Sequence, residues 1–120
     1  MSNGRICYIE IPATNVESSA TFYTGVFGWK VRVRADGERA FDDADGAVSG
    51  SWVLGRPPAA TPGVLVYIMV EAIDATLGRV IAAAGQVVTG LTPLSARGEA
   101  FATFRDPAGN LLGLYQGPTG

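Results

Sequence analysis

The sequence predicts an α+β fold in which one β-α-β-β-β module occurs twice in tandem. Three observations carry this. Stretches of alternating, β-branched residues flank two stretches of helical spacing. The two helical stretches are related by a constant shift, since Asn15 pairs with Ala72 and Gly28 with Gly85, both 57 residues apart (72 − 15 and 85 − 28). Between the repeats, Arg56-Pro57-Pro58-Ala59-Ala60-Thr61-Pro62-Gly63 can continue neither helix nor strand, because proline lacks an N–H and restricts the residue before it. One domain over residues 1–120 is expected, with a module over 6–54, a linker over 55–63 and a module over 64–116.

Within the first module, Ile6 to Ile11 reads as a strand that places Tyr8 and Glu10 on one face and Cys7, Ile9 and Ile11 on the other. Thr14-Asn15-Val16-Glu17 has the spacing of a capping box, with Thr14 as the cap and Asn15 as the alternative, so a helix starts there. Val16, Ala20, Tyr23 and Phe27 follow helical spacing up to Gly28, which suits a left-handed C-terminal position. Trp29 to Val33, Arg39 to Asp42 and Ala47 to Leu54 complete the module as strands, around turns at Asp36-Gly37 and Asp45-Gly46. The second module begins with a strand over Val64 to Val70. A helix follows on Ile73, Leu77, Val80 and Ala84 that ends at Gly85, and its length is expected to match the first without a gap. Val87-Val88, Glu99 to Phe104 and Leu111 to Gln116 supply its remaining strands. The last two are joined by Asp106-Pro107-Ala108-Gly109-Asn110, where Asp106 can accept from the turn backbone and Gly109 or Asn110 tolerates positive φ.

Composition narrows the function classes. A 120-residue chain that is 48% hydrophobic can bury one sizeable core. No run approaches the roughly 18 apolar residues of a membrane span, and Met1 to Arg5 lacks the basic-then-apolar layout of a secretory leader, so a cytoplasmic protein away from membranes is expected. The net charge is −2 and the nine basic residues are scattered from Arg5 to Arg105, which argues against nucleic acid as a partner. Arg32 and Arg34, alternating with Val31 and Val33, read as the solvated face of a strand. The single Cys7 cannot form an internal disulfide, and within a strand it reads as a small buried hydrophobe rather than a nucleophile.

The segments Asn15…Phe22-Tyr23…Val26-Phe27-Gly28-Trp29 and Phe104-Arg105-Asp106-Pro107-Ala108-Gly109-Asn110, joined by the internal repeat, resemble the vicinal oxygen chelate superfamily of glyoxalases, bleomycin-resistance proteins and extradiol dioxygenases. The resemblance covers Ile6 to Gln116. It implies that the modules form a cupped mixed sheet around a cavity that in relatives often holds a divalent metal on His and Glu. Carried over by position, the four ligand sites fall on Tyr8, Ser49, Leu65 and Gly113, and the chain contains no His at all. Imidazole is the commonest protein ligand for such metals, so no metal and no other cofactor is expected, and glyoxalase I or extradiol chemistry is argued against.

The cavity position implied by the resemblance makes Tyr8, Glu10, Ser49, Leu65, Tyr67, Met69, Gly113 and Tyr115 the candidate ligand-binding residues. Glu10, the only candidate catalytic residue, has three readings: a solvated edge residue, a structural partner for an arginine, or a cavity carboxylate that anchors a cation or acts as a base. Burial beside Tyr8 and Tyr67, its partner at the shift of 57, would raise its pKa as general-base chemistry requires. Phe22, Tyr23, Phe27 and Trp29 are expected in the core, and Trp52 has the opposite parity to Ser49. A pocket of tyrosines and Met with one carboxylate suits a planar, partly apolar small molecule, a cationic one included. The expected function is therefore metal-independent sequestration of such a ligand. The alternative is a lyase or isomerase with Glu10 as base and tyrosine hydrogen-bond donors. Assembly as a homodimer is implied by the resemblance.

Overall fold

The computed structural model describes residues 3–119; Met1 and Ser2, part of the segment read for a leader, and Gly120 lie outside the described residues. The chain divides into two compact units, one up to Pro57 and one from Pro58, so the boundary falls within the proline-rich segment.

The N-terminal unit contains β1 (Tyr8–Pro12), α1 (Val16–Phe27), β2 (Lys30–Val33), β3 (Arg39–Asp42) and β4 (Ser49–Val53). The sheet order is β1-β4-β3-β2, with β1 parallel to β4 and the other pairs antiparallel. One sheet face is apolar. Ile11, Phe41 and Trp52 are buried with Phe22, Tyr23 and Val26 of α1 and with Trp29. The rings form a continuous stack, Tyr23 on Trp29 at 4.6 Å and 18° and Trp29 on Phe41 at 4.6 Å and 22°. Each such side chain removed from water contributes about 1.5–3 kcal/mol, with about 0.5–1.5 kcal/mol more for a favourable ring pair.

The C-terminal unit contains β5 (Tyr67–Val70), α2 (Ile73–Ala82), β6 (Gln86–Pro93), β7 (Ala100–Arg105) and β8 (Leu111–Gln116), in the order β5-β8-β7-β6 with β5 parallel to β8. Ile73, Leu77 and Val80 of α2 are buried, as are Ala102, Phe104, Leu112 and Leu114 on the apolar face of the sheet. The turn Asp106 to Asn110 fastens the start of this unit. Asp106 accepts from the N–H groups of Ala108 and Asn110 at 3.0 Å, and Gly109 has φ +95° as expected. Asn110 Oδ1 accepts from Ala59 N at 2.8 Å, while Leu111 N donates to Ala59 O and Arg105 to Ala60 O.

Both modules therefore have the expected order of elements, and several local expectations are corrected. Asn15, not Thr14, caps α1, with its side chain accepting from Ser18 N at 2.9 Å. The first strand starts at Tyr8, so Cys7 precedes it and is exposed rather than buried. The fifth begins at Tyr67 rather than Val64, because the segment after Pro62-Gly63 meets β8 only at Val66, whose carbonyl accepts from Gly113 N. Val87-Val88 is part of an eight-residue β6 with two register shifts against β7.

The helices differ in length, 12 residues against 10. The left-handed residue after α2 is Ala84 (φ +73°), not Gly85. Gly85 N donates to Val80 O and Ala84 N to Ile81 O, the paired bonds of a Schellman motif. The turn is set by these bonds, which form one residue earlier than the glycine.

Candidate functional site

Each sheet has one face on its helix and one face open, and strand register decides which residues share the open face. In the N-terminal unit Tyr8 stands beside Ser49, Ser49 beside Asp42 and Asp42 beside Lys30, while Glu10, Ser51, Ala40 and Arg32 form the next row. Register partners project to the same side of a sheet, so Tyr8, Glu10 and Ser49 share one face and Trp52 belongs to the other. The same parity brings in Arg32, Arg34 and Asp42. Arg32 binds Asp42 through Nε at 3.0 Å, and Ser49 Oγ donates to Asp42 Oδ1 at 2.6 Å. Arg34 Nη1 donates to the Tyr8 hydroxyl at 3.1 Å, while its Nη2 binds Asp36 at 2.5 Å.

These contacts set the electrostatics. The hydrogen bond from Arg32, then that from Ser49, holds the Asp42 carboxyl below its ordinary value. The hydrogen bond from Arg34 does the same for Asp36, and Asp42 in turn raises Arg32. Glu10 is 45% exposed and accepts from Arg56 Nη2 at 2.6 Å. Two of its three readings hold together, since Glu10 is a solvent-exposed residue of the edge strand β1 and is paired with an arginine, while the burial supposed for a general base is not met.

In the C-terminal unit Tyr67 stands beside Gly113 and Thr103, and Met69 beside Tyr115 and Phe101. The Tyr67 ring lies across Gly113 so closely that a Cβ there would fall 2.4 Å from it. Phe101 meets Tyr67 edge-on at 6.5 Å and 70°. Tyr67 is nonetheless 48% exposed and Met69 73% exposed. The Tyr115 hydroxyl donates to Glu99, which raises its pKa, and desolvation adds to the shift.

Leu65 is half-buried and precedes β5, and the residue paired with Gly113 as Tyr8 is with Ser49 is Tyr67. The helix starts are 57 residues apart (73 − 16), but the first strands are 59 apart (67 − 8), because β5 is one residue shorter than β1 and the passage from it to the helix is one residue shorter as well. Glu10 consequently corresponds to Met69, not to Tyr67. Asp42, Phe101 and Glu99 were not singled out from the sequence as site residues, and Arg32 and Arg34 were read only as the solvated face of a strand. The alternation of Arg32 and Arg34 was legible, but only the hairpin register through Asp42 to Ser49 shows which face it decorates.

The positions Tyr8, Ser49, Tyr67 and Gly113 do not fit a divalent metal. Ser49 donates its proton to Asp42, the Tyr8 oxygen already lies against a guanidinium, and Gly113 offers no donor and is covered by a ring. Among the described residues, no three His, Cys, Asp or Glu side chains group so as to hold a metal.

Two β-α-β-β-β modules, each with a mixed four-stranded sheet and one open face, define the class of small α+β proteins with the glyoxalase-like fold. Residues 5–114 match the Glyoxalase/Bleomycin resistance protein/Dioxygenase superfamily, and the chain belongs to it. A glyoxylase-like domain-containing protein of Didymella fabae is 30% identical over 97% of this chain and 96% of its own length. Among solved structures, the genomically encoded fosfomycin resistance protein FosX of Listeria monocytogenes superposes with a TM-score of 0.78 at 15% identity, over 98% of this chain and 95% of that one. A glyoxalase/bleomycin resistance protein/dioxygenase family enzyme of Burkholderia phytofirmans gives 0.74 at 17% identity, over 91% and 95%. At such identities the structural likeness shows the fold alone. No helix among the described residues is long and apolar enough to cross a membrane.

Proposed function

We propose that this protein binds a small, planar, partly apolar molecule on the open faces of its sheets and sequesters it without a metal and without changing it, as a homodimer in the cytoplasm. The observation that carries the reading is the ground formed by Tyr67 over Gly113. A flat ring, flanked edge-on by Phe101 and beside an adaptable methionine, stays substantially open to solvent. Such a surface gains about 0.5–1.5 kcal/mol from each well-placed ring contact, in addition to the area it removes from water. The alternative as a lyase or isomerase loses its support at Glu10, which is held in an open ion pair with Arg56.

Native mass spectrometry of the protein purified from cells tests this directly. A dimer carrying an unaltered organic molecule, lost in Tyr67→Ala, is the expected result. A stoichiometric divalent metal, or a retained molecule unaffected by Tyr67→Ala and Met69→Ala, would overturn it.

A further inference from the structure

Lys30, Arg32 and Arg34 occupy alternate positions along one edge of the N-terminal sheet, roughly 7 Å apart. With Arg56 they place four cations beside four carboxylates, Asp36, Asp42, Glu10 and Glu38, the last brought to this side by the closing pair of the hairpin, Arg34 N to Glu38 O. Asp36, Asp42 and Glu10 are each held by an arginine, whereas Lys30 is in no ion pair among the described residues. An incoming anion meets the Lys30 ammonium and the guanidinium N–H groups that those bonds leave unused.

The donors also have the right form. A guanidinium carries five N–H groups, and the bonds described here use three on Arg34 and two on Arg32. The Tyr8 hydroxyl accepts from Arg34, so its own proton is available to a ligand oxygen. Asp36, which shares Arg34, sits on an exposed turn two residues away and can yield its place. We infer that the open face of the N-terminal sheet is an oxyanion site, in which Arg34 and the Tyr8 hydroxyl receive a carboxylate or comparable acidic group of a small molecule, with Arg32 and Lys30 supplying the surrounding positive potential. This inference rests on the reading of the chain as a small-molecule binder and adds the chemical class of the ligand.

The test is an amide-resolved NMR titration of the full chain with benzoate, benzyl alcohol and benzylamine. Residues 8–10 and 30–34 report the N-terminal face, and residues 67–69, 101 and 113 report the C-terminal one. The expected result is that benzoate shifts the N-terminal reporters with an affinity about tenfold above benzyl alcohol, a difference normal for one charge-assisted bidentate contact. Benzylamine should be weakest there. Arg34→Gln and Tyr8→Phe should each reduce the preference for benzoate, and 0.5 M salt should reduce it in the unmodified protein. Equal binding of benzoate and benzyl alcohol, or a preference that survives Arg34→Gln, overturns the inference. If the probes shift only the C-terminal reporters, the oxyanion site falls while the binding reading stands. If none shifts either set, both fall.

Discussion

Ala84 and Gly28 end the two helices in the same left-handed region, φ +73° and +71°, yet one carries a Cβ and the other does not. This makes a reciprocal experiment. An L-residue with a side chain pays roughly 1–2 kcal/mol to sit there, because its Cβ approaches the following carbonyl. Introducing glycine costs about 0.4–1 kcal/mol through the added freedom of the unfolded chain. The difference leaves Ala84→Gly more stable by about 1 kcal/mol, with the Schellman bonds from Ala84 and Gly85 retained. Gly28→Ala should lose a similar amount, and apart from its own chain neighbours nothing lies within 4 Å of where its Cβ would be, so the loss is a backbone effect alone. For a chain of this length 1 kcal/mol corresponds to about 3–5 °C. Thermal unfolding by circular dichroism should therefore raise Tm for Ala84→Gly and lower it for Gly28→Ala. If Ala84→Gly melts at or below the parent temperature, the assignment of strain to that residue is wrong.

Asn110→Ala removes a buried side chain that accepts from Ala59 N and donates to Asp106, and should cost about 1–3 kcal/mol in urea unfolding; no change in midpoint would dissociate the turn from the stability of its unit. The depressed pKa of Asp42 means that its contribution is present above the unfolded carboxylate value near 4 and fades as pH falls through the lower folded value. Urea midpoints measured from pH 6 to 3 should accordingly fall less in Asp42→Asn than in the parent. Tyr115 is raised above its ordinary value, so its contribution is present below pH 10 and fades as pH rises through the folded value. In absorbance titration at 295 nm, Glu99→Gln should move one tyrosine to lower pH, and an unchanged curve would place the Glu99 hydrogen bond elsewhere.

The order of elements, the family and the apolar faces were legible from sequence because they rest on local periodicity and punctuation: Asn15 and Gly28 around the first helix, the proline run between modules, and Asp106 to Gly109 in the last turn. The parity of Tyr8, Glu10, Ser49 and Trp52 was equally accessible, since alternation along one strand is a property of the strand itself. What the tertiary structure decided was register. The shift of 57 holds for the helix starts but not for their ends, and becomes 59 for the first strands, which puts Tyr67 rather than Leu65 opposite Gly113. The hairpin that joins Lys30 to Asp42 turns the arginine row toward Tyr8 and Ser49. Periodicity states which residues of one strand share a side, whereas backbone pairing between strands distant in sequence decides which side, and beside which neighbours. That pairing depends on connector lengths and on packing against the helix, which no local pattern encodes.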